Sequence, residues 1–202
     1  MEKMSIIKKN KNERVMMFID LRNIENKMQD LASRGIFGAR IDYEELATEL
    51  VGERDLVAAY VFDSCCESDS KYKFIIALQR LGFRAEIRKF DKNQTEQKEV
   101  DVALATRLVS CAYKDLYDTA IVVSGDRDFV PAIEEVQSLG KKVEAAAFIG
   151  STSYSMENIP DVYTSLDKLI IIDITYCRQI YEEEIEASMT YVGSMAEKGE
   201  IA

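Results

Sequence analysis

The sequence predicts an α/β protein: a three-layer α/β/α sandwich around a central, mainly parallel sheet. Two observations carry this. The runs Val15–Asp20, Asp55–Asp63 and Thr119–Ser124 are short and almost wholly apolar, as strands covered on both faces are. Segments of helical character separate them, and a repeated strand-helix-strand order implies parallel pairing through crossovers.

From the amino terminus, Val15–Asp20 reads as a buried strand and Asn23–Ser33 as a helix. Asp42 followed by Glu45 resembles a capping box, opening a second helix that runs to about Leu50. Asp55–Asp63 is the second strand, and Ser70–Leu81 is a helix ended by Gly82, a residue suited to the position after a helix terminus. Phe83–Phe90 alternates Phe83, Ala85 and Ile87 with Arg84, Glu86 and Arg88, so it reads as a half-buried strand nearer an edge. After the polar loop 91–97, Val100–Tyr113 is an apolar helix with Asp101 in its first turn. Thr119–Ser124 is the fourth strand, Val130–Leu139 a helix closed by Gly140, and Lys142–Phe148 the fifth strand. Ser153–Asn158 is a short helix, and Leu169–Asp173 a last apolar strand in the same sheet.

No internal repeat, low-complexity tract or proline-rich linker divides these segments, so one domain is expected over 14–175. A basic segment, 1–13, precedes it. An acidic segment, 176–202, follows, and its Ile180, Ile185 and Met189 share one side of a helix suited to self-association as a homodimer.

Composition narrows the chemistry. The 202 residues include no histidine, which removes Ser-His and Cys-His nucleophiles, histidine general bases and His-ligated zinc. The four cysteines show no CxxC spacing and read as reduced thiols of a reducing compartment. No apolar run approaches the ~20 residues that cross a bilayer, and Met1–Arg14 lacks the apolar core of a signal peptide. The expectation is a cytoplasmic protein without a membrane partner. A net charge of −10 argues against a general nucleic-acid coat. Basic clusters at Lys8, Lys9, Lys11 and Arg14, and at Arg84, Arg88, Lys89 and Lys92, leave room for a localised groove.

The most informative stretch is Ser124-Gly125-Asp126-Arg127-Asp128-Phe129, directly after the apolar run 120–123. It sets two carboxylates at the carboxyl edge of a sheet, where α/β folds hold ligands. Asp20 ends the first strand at that edge, and Asp101 opens a helix just ahead of the fourth. Each acid has a plain structural role: Asp20 as a helix cap, Asp101 at a helix dipole, Asp126 in a turn, Asp128 capping the helix at Val130. Together they deliver like charges from three segments to one rim, which is costly unless a cation neutralises them. An all-oxygen set suits Mg2+ or Mn2+, and the chemistry such a site serves without histidine is phosphodiester hydrolysis. P-loop and dinucleotide fingerprints are absent. A phosphoryl-aspartate enzyme would want an acid two residues after Asp20, where Arg22 stands.

Three blocks, Phe18-Ile19-Asp20-Leu21-Arg22-Asn23-Ile24, Lys98-Glu99-Val100-Asp101-Val102-Ala103-Leu104-Ala105 and Ser124-Gly125-Asp126-Arg127-Asp128-Phe129-Val130-Pro131, resemble the signature blocks of the NYN domain family, the PIN-like nucleases that include LabA/DUF88-like proteins. The resemblance spans about 14–175. It implies a PIN-like, Rossmann-like fold and a divalent-metal-dependent ribonuclease in which Asp20, Asp101, Asp126 and Asp128 are the metal-site and catalytic acids. It implies that Asn23 supports the pocket, that Ser124 and Gly125 shape the turn, and that water attack leaves a 5′-phosphate. Leu21 stands where relatives carry glycine. Arg107 replaces an acid common among them, about 120° around the helix from Asp101. Arg22, Arg127 and Lys98, with Lys92, Asn93 and Gln94, are candidates to meet the phosphates of RNA. Tyr60, Phe62 and Phe90 are candidates to stack bases, with core packing the plainer role for the first two. The alternative function is a noncatalytic PIN-like module that binds RNA or a protein partner.

Overall fold

A computed structural model describes residues 11–65, 69–89 and 97–172. In chain order the elements are β1 (Arg14–Asp20), α1 (Leu21–Ser33), β2 (Ala39–Ile41), α2 (Tyr43–Val51), β3 (Asp55–Cys65), α3 (Asp69–Arg80), β4 (Arg84–Lys89), α4 (Gln97–Tyr113), β5 (Thr119–Val123), a 3-10 turn (Arg127–Phe129), α5 (Val130–Ser138), β6 (Lys142–Ala147), α6 (Tyr154–Asn158), β7 (Val162–Ser165), a second 3-10 turn (Asp167–Leu169) and β8 (Ile170–Ile172). They form two compact units. Of the described residues, the larger holds those from 11 to 27 and from 42 to 169, and the smaller 28–41 and 170–172.

The larger unit is built on a six-stranded sheet in the order β4-β3-β1-β5-β6-β7, every neighbouring pair parallel. Helices flank it as a three-layer α/β/α sandwich. One face of β1 offers Met16 and Phe18, which join Tyr60 and Phe62 of β3, Val122 of β5 and Val143 of β6 under Leu104 and Leu108 of α4 and Ile133 and Val136 of α5. The opposite face offers Val15, Met17, Ile19, Val61 and Ile121, all fully buried. A sheet covered on both sides needs apolar residues at both parities, which is why β1 and β5 read as uninterrupted runs rather than as alternation. Edge strand β4 does alternate, and Arg84 and Arg88 are exposed there.

Local signals act as the sequence suggests. Asp42 Oδ1 accepts the N–H groups of Glu44 (2.9 Å) and Glu45 (3.1 Å) at the start of α2. Gly82 takes φ 97°, a left-handed conformation that turns the chain out of α3 into β4.

Two expectations need correction. α4 begins at Gln97, so Asp101 lies beyond the first turn, where the helix dipole has faded. The last strand does not extend the parallel sheet: in the smaller unit, β8 pairs antiparallel with β2, Ile171 opposite Arg40. The sheet's last strand is instead β7, parallel to β6. Its sequence Val-Tyr-Thr-Ser is short and half-buried throughout, so it lacks the apolar signature of an inner strand. The basic and acidic segments 1–10 and 173–202, with the self-associating helix expected in the latter, lie outside the described residues.

At the amino-terminal edge of the sheet, buried charge is fully paired. The Arg54 guanidinium makes a two-pronged contact with Glu144 (2.8 and 2.9 Å) and donates to the carbonyls of Leu50 (2.7 Å) and Val51 (2.9 Å). Glu13 lies 3.4 Å from Arg54 and accepts from Lys142 (2.8 Å) and Thr119 (2.9 Å). Arg14 holds Asp118 at 2.7 Å.

Candidate active site

The strand order locates the crevice. From β1 the chain works outward through β3 to β4, then returns to β5 and works outward the other way through β6 to β7. The reversal falls between β1 and β5, and ligands of open α/β sheets bind outside the carboxyl ends of the strands at such a point. Ile19 is opposite Val123, so the next residues, Asp20 and Ser124, emerge side by side.

Ser124 ties the two strand ends together. Its hydroxyl donates to Asp20 Oδ2 (3.1 Å) and accepts the N–H of Asp126 (3.2 Å). Asp20 Oδ1 accepts the N–H of Asn23 (3.2 Å), capping α1 as expected. Asn23 Oδ1 accepts the N–H of Gly125 at 3.3 Å. Asp126 Oδ1 accepts the N–H of Asp128 (3.0 Å) and so caps the 3-10 turn. The capping role expected of Asp128 is not used: α5 starts after Phe129 without a side-chain cap, and Asp128 is exposed.

The turn admits only glycine at 125. A Cβ there would lie 2.7 Å from the Ser151 carbonyl oxygen and 2.9 Å from Thr152 Cα, and Ser153 N–H donates to the Gly125 carbonyl at 3.0 Å. The segment after β6 thus backs the acidic turn. Sequence reasoning missed this support, although the small residues Gly150-Ser151-Thr152-Ser153 were its signal.

The charges at this rim repel one another. Burial pushes the Asp20 carboxyl up to about 6, and Asp101 and Asp126 add to the push, against hydrogen bonds from Asn23 and Ser124 that pull it down. Asp101 is also raised, by burial first and then by Asp126 and Asp128, with Arg22 pulling the other way. Among the described residues no group of three carboxylates or thiols closes into an arrangement that could hold a metal ion. The four acids are coupled through their fields rather than through a shared cage. As a donor set they suit a hard cation: all oxygen, mutually repelling and without histidine. Asp63, at the end of neighbouring β3, differs because Lys71 neutralises it at 2.8 Å.

The other expected residues separate. Arg22 is exposed and close enough to act on Asp101, and Arg127 is exposed on the 3-10 turn. Lys98 falls within α4, but its side chain, like Phe90, Lys92, Asn93 and Gln94, lies outside the described residues. Tyr60 and Phe62 are core residues rather than a stacking surface. Leu21 is fully buried. Arg107 forms an ion pair with Glu86 (2.7 Å) and lies 5.4 Å from the Tyr60 ring centre, toward β4.

The family model described as NYN domain matches residues 14–167, and the chain belongs to that family, a family of PIN-like nucleases. No curated protein matches the chain. A crystal structure of a protein of unknown function from Vibrio parahaemolyticus is similar in fold, with a TM-score of 0.67 at 20% identity over 82% of this chain and 100% of that one.

Proposed function

We propose that this NYN-family chain is a divalent-metal-dependent ribonuclease that hydrolyses RNA phosphodiester bonds at the rim formed by Asp20, Asp101, Asp126 and Asp128. The observation that carries the reading is that Ser124 ties Asp20 to Asp126 at the adjoining ends of β1 and β5, with Asp20 and Asp101 both raised, by burial first and then by the neighbouring acids, and neither paired with a cation as Asp63 is. A protein that wanted these carboxylates for packing alone would have paired them, as Lys71 pairs Asp63.

These four residues would hold Mg2+ or Mn2+, whose chemistry at such a site is to neutralise the scissile phosphate and acidify an attacking water. The chain's own part is positional. Ser124 fixes Asp20 relative to Asp126 through one hydroxyl, and Asn23 fixes the backbone at Gly125. Asp128, exposed on the 3-10 turn, would orient the nucleophile or accept its proton. Exposed Arg22 and Arg127 flank the acids in sequence and would meet phosphates.

The test is cleavage of labelled RNA with Mn2+, Mg2+ or EDTA, beside Asp126→Asn purified identically. The expected result is metal-dependent cleavage that falls by at least about 10³-fold in the variant, equivalent to about 4 kcal/mol of transition-state stabilisation. Equal cleavage by the two proteins overturns the assignment. Binding of RNA in EDTA with no turnover under any metal favours the noncatalytic module instead.

A further inference from the structure

The acidic turn has a neighbour that the rim does not use. β6 runs beside β5 with Val123 opposite Ala146, so the chain leaves β6 where β5 passes into Ser124-Gly125-Asp126. Its backbone is then pinned from several sides. Lys27, one helical turn after Asn23 on α1, donates to the Ile149 carbonyl (3.2 Å) and lies 5.9 Å from the Phe148 ring centre. The Ile149 N–H donates to Asp167 (2.8 Å), and the Ser151 and Thr152 hydroxyls donate to the Phe148 carbonyl (3.1 and 2.7 Å). Ser151 and Thr152 close on Gly125, and the Ser153 N–H donates to the Gly125 carbonyl at 3.0 Å. Asn23 and Lys27 share a face of α1, so one helix holds both loops, at Gly125 and at Ile149.

At its two ends this pinned segment carries large apolar side chains into water. Ile149 is 63% exposed, and Tyr154, the first residue of α6, is 80% exposed. Among the described residues two other tyrosines are exposed, and neither adjoins the acids in this way. Tyr113 closes α4 about 18 Å along the helix from Asp101, and its hydroxyl is taken by Glu135 at 2.6 Å. Tyr72 stands on α3, which leads into edge strand β4. Tyr154, by contrast, directly follows the residue bonded to Gly125, its Cα about 3.8 Å further along the chain. Side chains of a helix tilt toward its amino terminus, so at the first position the ring leans back over the segment that closes on the acidic turn.

We infer that Tyr154, with Ile149 at the other end of the same segment, is a platform on which a base of the RNA strand at the acid rim stacks. The inference rests on RNA being the substrate of that rim. A tyrosine ring offers a flat face with few torsions to freeze, and its backbone is already held, so stacking asks for little reordering. Every base has such a face, so the affinity gained is tolerant of sequence, and unlike a phosphate contact it releases no counterions. In a chain of net charge −10, an uncharged contact supplies affinity for RNA where a general basic field is lacking.

The chain contains no tryptophan, so Tyr154→Trp in Asp126→Asn protein, where cleavage does not intervene, carries a single indole as reporter. A saturating oligoribonucleotide of about 8 nucleotides should quench its emission, and a ribose-phosphate strand of the same length without bases should not. In fluorescence anisotropy with the labelled oligoribonucleotide, adding Tyr154→Ala to Asp126→Asn should weaken binding roughly tenfold with the salt slope unchanged, and Tyr154→Phe should restore it. Unquenched emission at saturation, equal quenching by the strand without bases, or a Kd within about twofold for the alanine variant overturns the platform. Failure of the Asp126→Asn protein to bind RNA at all overturns the platform and the RNA reading together. The cleavage test reports separately: loss of turnover in Asp126→Asn upholds the nuclease whichever way the Tyr154 variants fall.

Discussion

At the amino-terminal edge of the sheet Glu13 and Glu144, each 7% exposed, are held by Arg54; at the carboxyl-terminal edge Asp20, 6% exposed, faces Asp101 and Asp126 instead. The same strands run between these edges and the exposed fractions are alike, yet Glu13 and Asp20 respond in opposite directions. Burial would raise Glu13, but its hydrogen bonds to Lys142 and Thr119 and the nearby cations outweigh it and leave it lowered. Arg14 brings Asp118 down to about 2. Asp20 rises to about 6. Charge at one edge is compensated within the fold, and charge at the other waits for compensation from outside it. That difference separates a structural cluster from a site more sharply than burial or composition does.

The largest effect should come from breaking the paired edge. Arg54→Met takes the guanidinium from Glu144 and leaves Glu13 to Lys142, and should cost about 3–5 kcal/mol in chemical denaturation, with the fold's cooperativity retained. A loss below about 1 kcal/mol would mean that the two edges do not differ as described.

Next is pH, where the edges pull in opposite directions. Asp20 is raised above its unfolded value of about 4, so the folded state holds the extra proton between pH 4 and about 6. Stability therefore falls as pH rises through that window, by up to about 3 kcal/mol from this group in the absence of metal. Asp118 and Glu13 are lowered, so the stability they contribute is present above about pH 4 and is lost on further acidification. In chelator the denaturation midpoint should pass through a maximum near pH 4–5, and Asp126→Asn should flatten the limb above it. A midpoint that rises steadily from pH 4 to 7 would contradict the raised Asp20.

A smaller effect is expected of Ser124→Ala. It removes the hydroxyl that Asp20 and Asp126 share, leaves a buried carboxylate oxygen without its donor, and should cost about 1–3 kcal/mol. Its cleavage rate should fall further than its stability accounts for, read as kcat at saturating RNA, because it positions two site acids at once.

Much of this was legible in the sequence. Buried parallel strands announce themselves through uninterrupted apolar runs, so β1, β3 and β5 were readable, and the acids after β1 and β5 could be placed at one edge. The alternation of β4 marked it as an edge strand. What escaped reading was pairing that leaves no periodic trace. The three residues of β2 and the four of β7 are too short for a period, and the run at β8 carries no sign that its partner is antiparallel. Within the site, Ser124 looked like a turn residue because its double hydrogen bond depends on the register between β1 and β5. Gly125 is required by a segment about 26 residues later in the chain, a close approach that nothing beside Gly125 in the sequence encodes.

The measurement that tests the contrast most directly is thermal unfolding of wild type and Asp126→Asn, each in chelator and in Mn2+. Asparagine keeps the turn cap while removing one repelling charge. In chelator the variant should be the more stable by about 0.5–1 kcal/mol, at roughly 2–4 °C per kcal/mol. Mn2+ should raise the wild-type Tm and move the variant far less. A variant less stable than wild type in chelator, with no Mn2+ shift in either protein, would show that the carboxyl edge is compensated within the fold, as the amino edge is, and would remove the basis for a metal-dependent site.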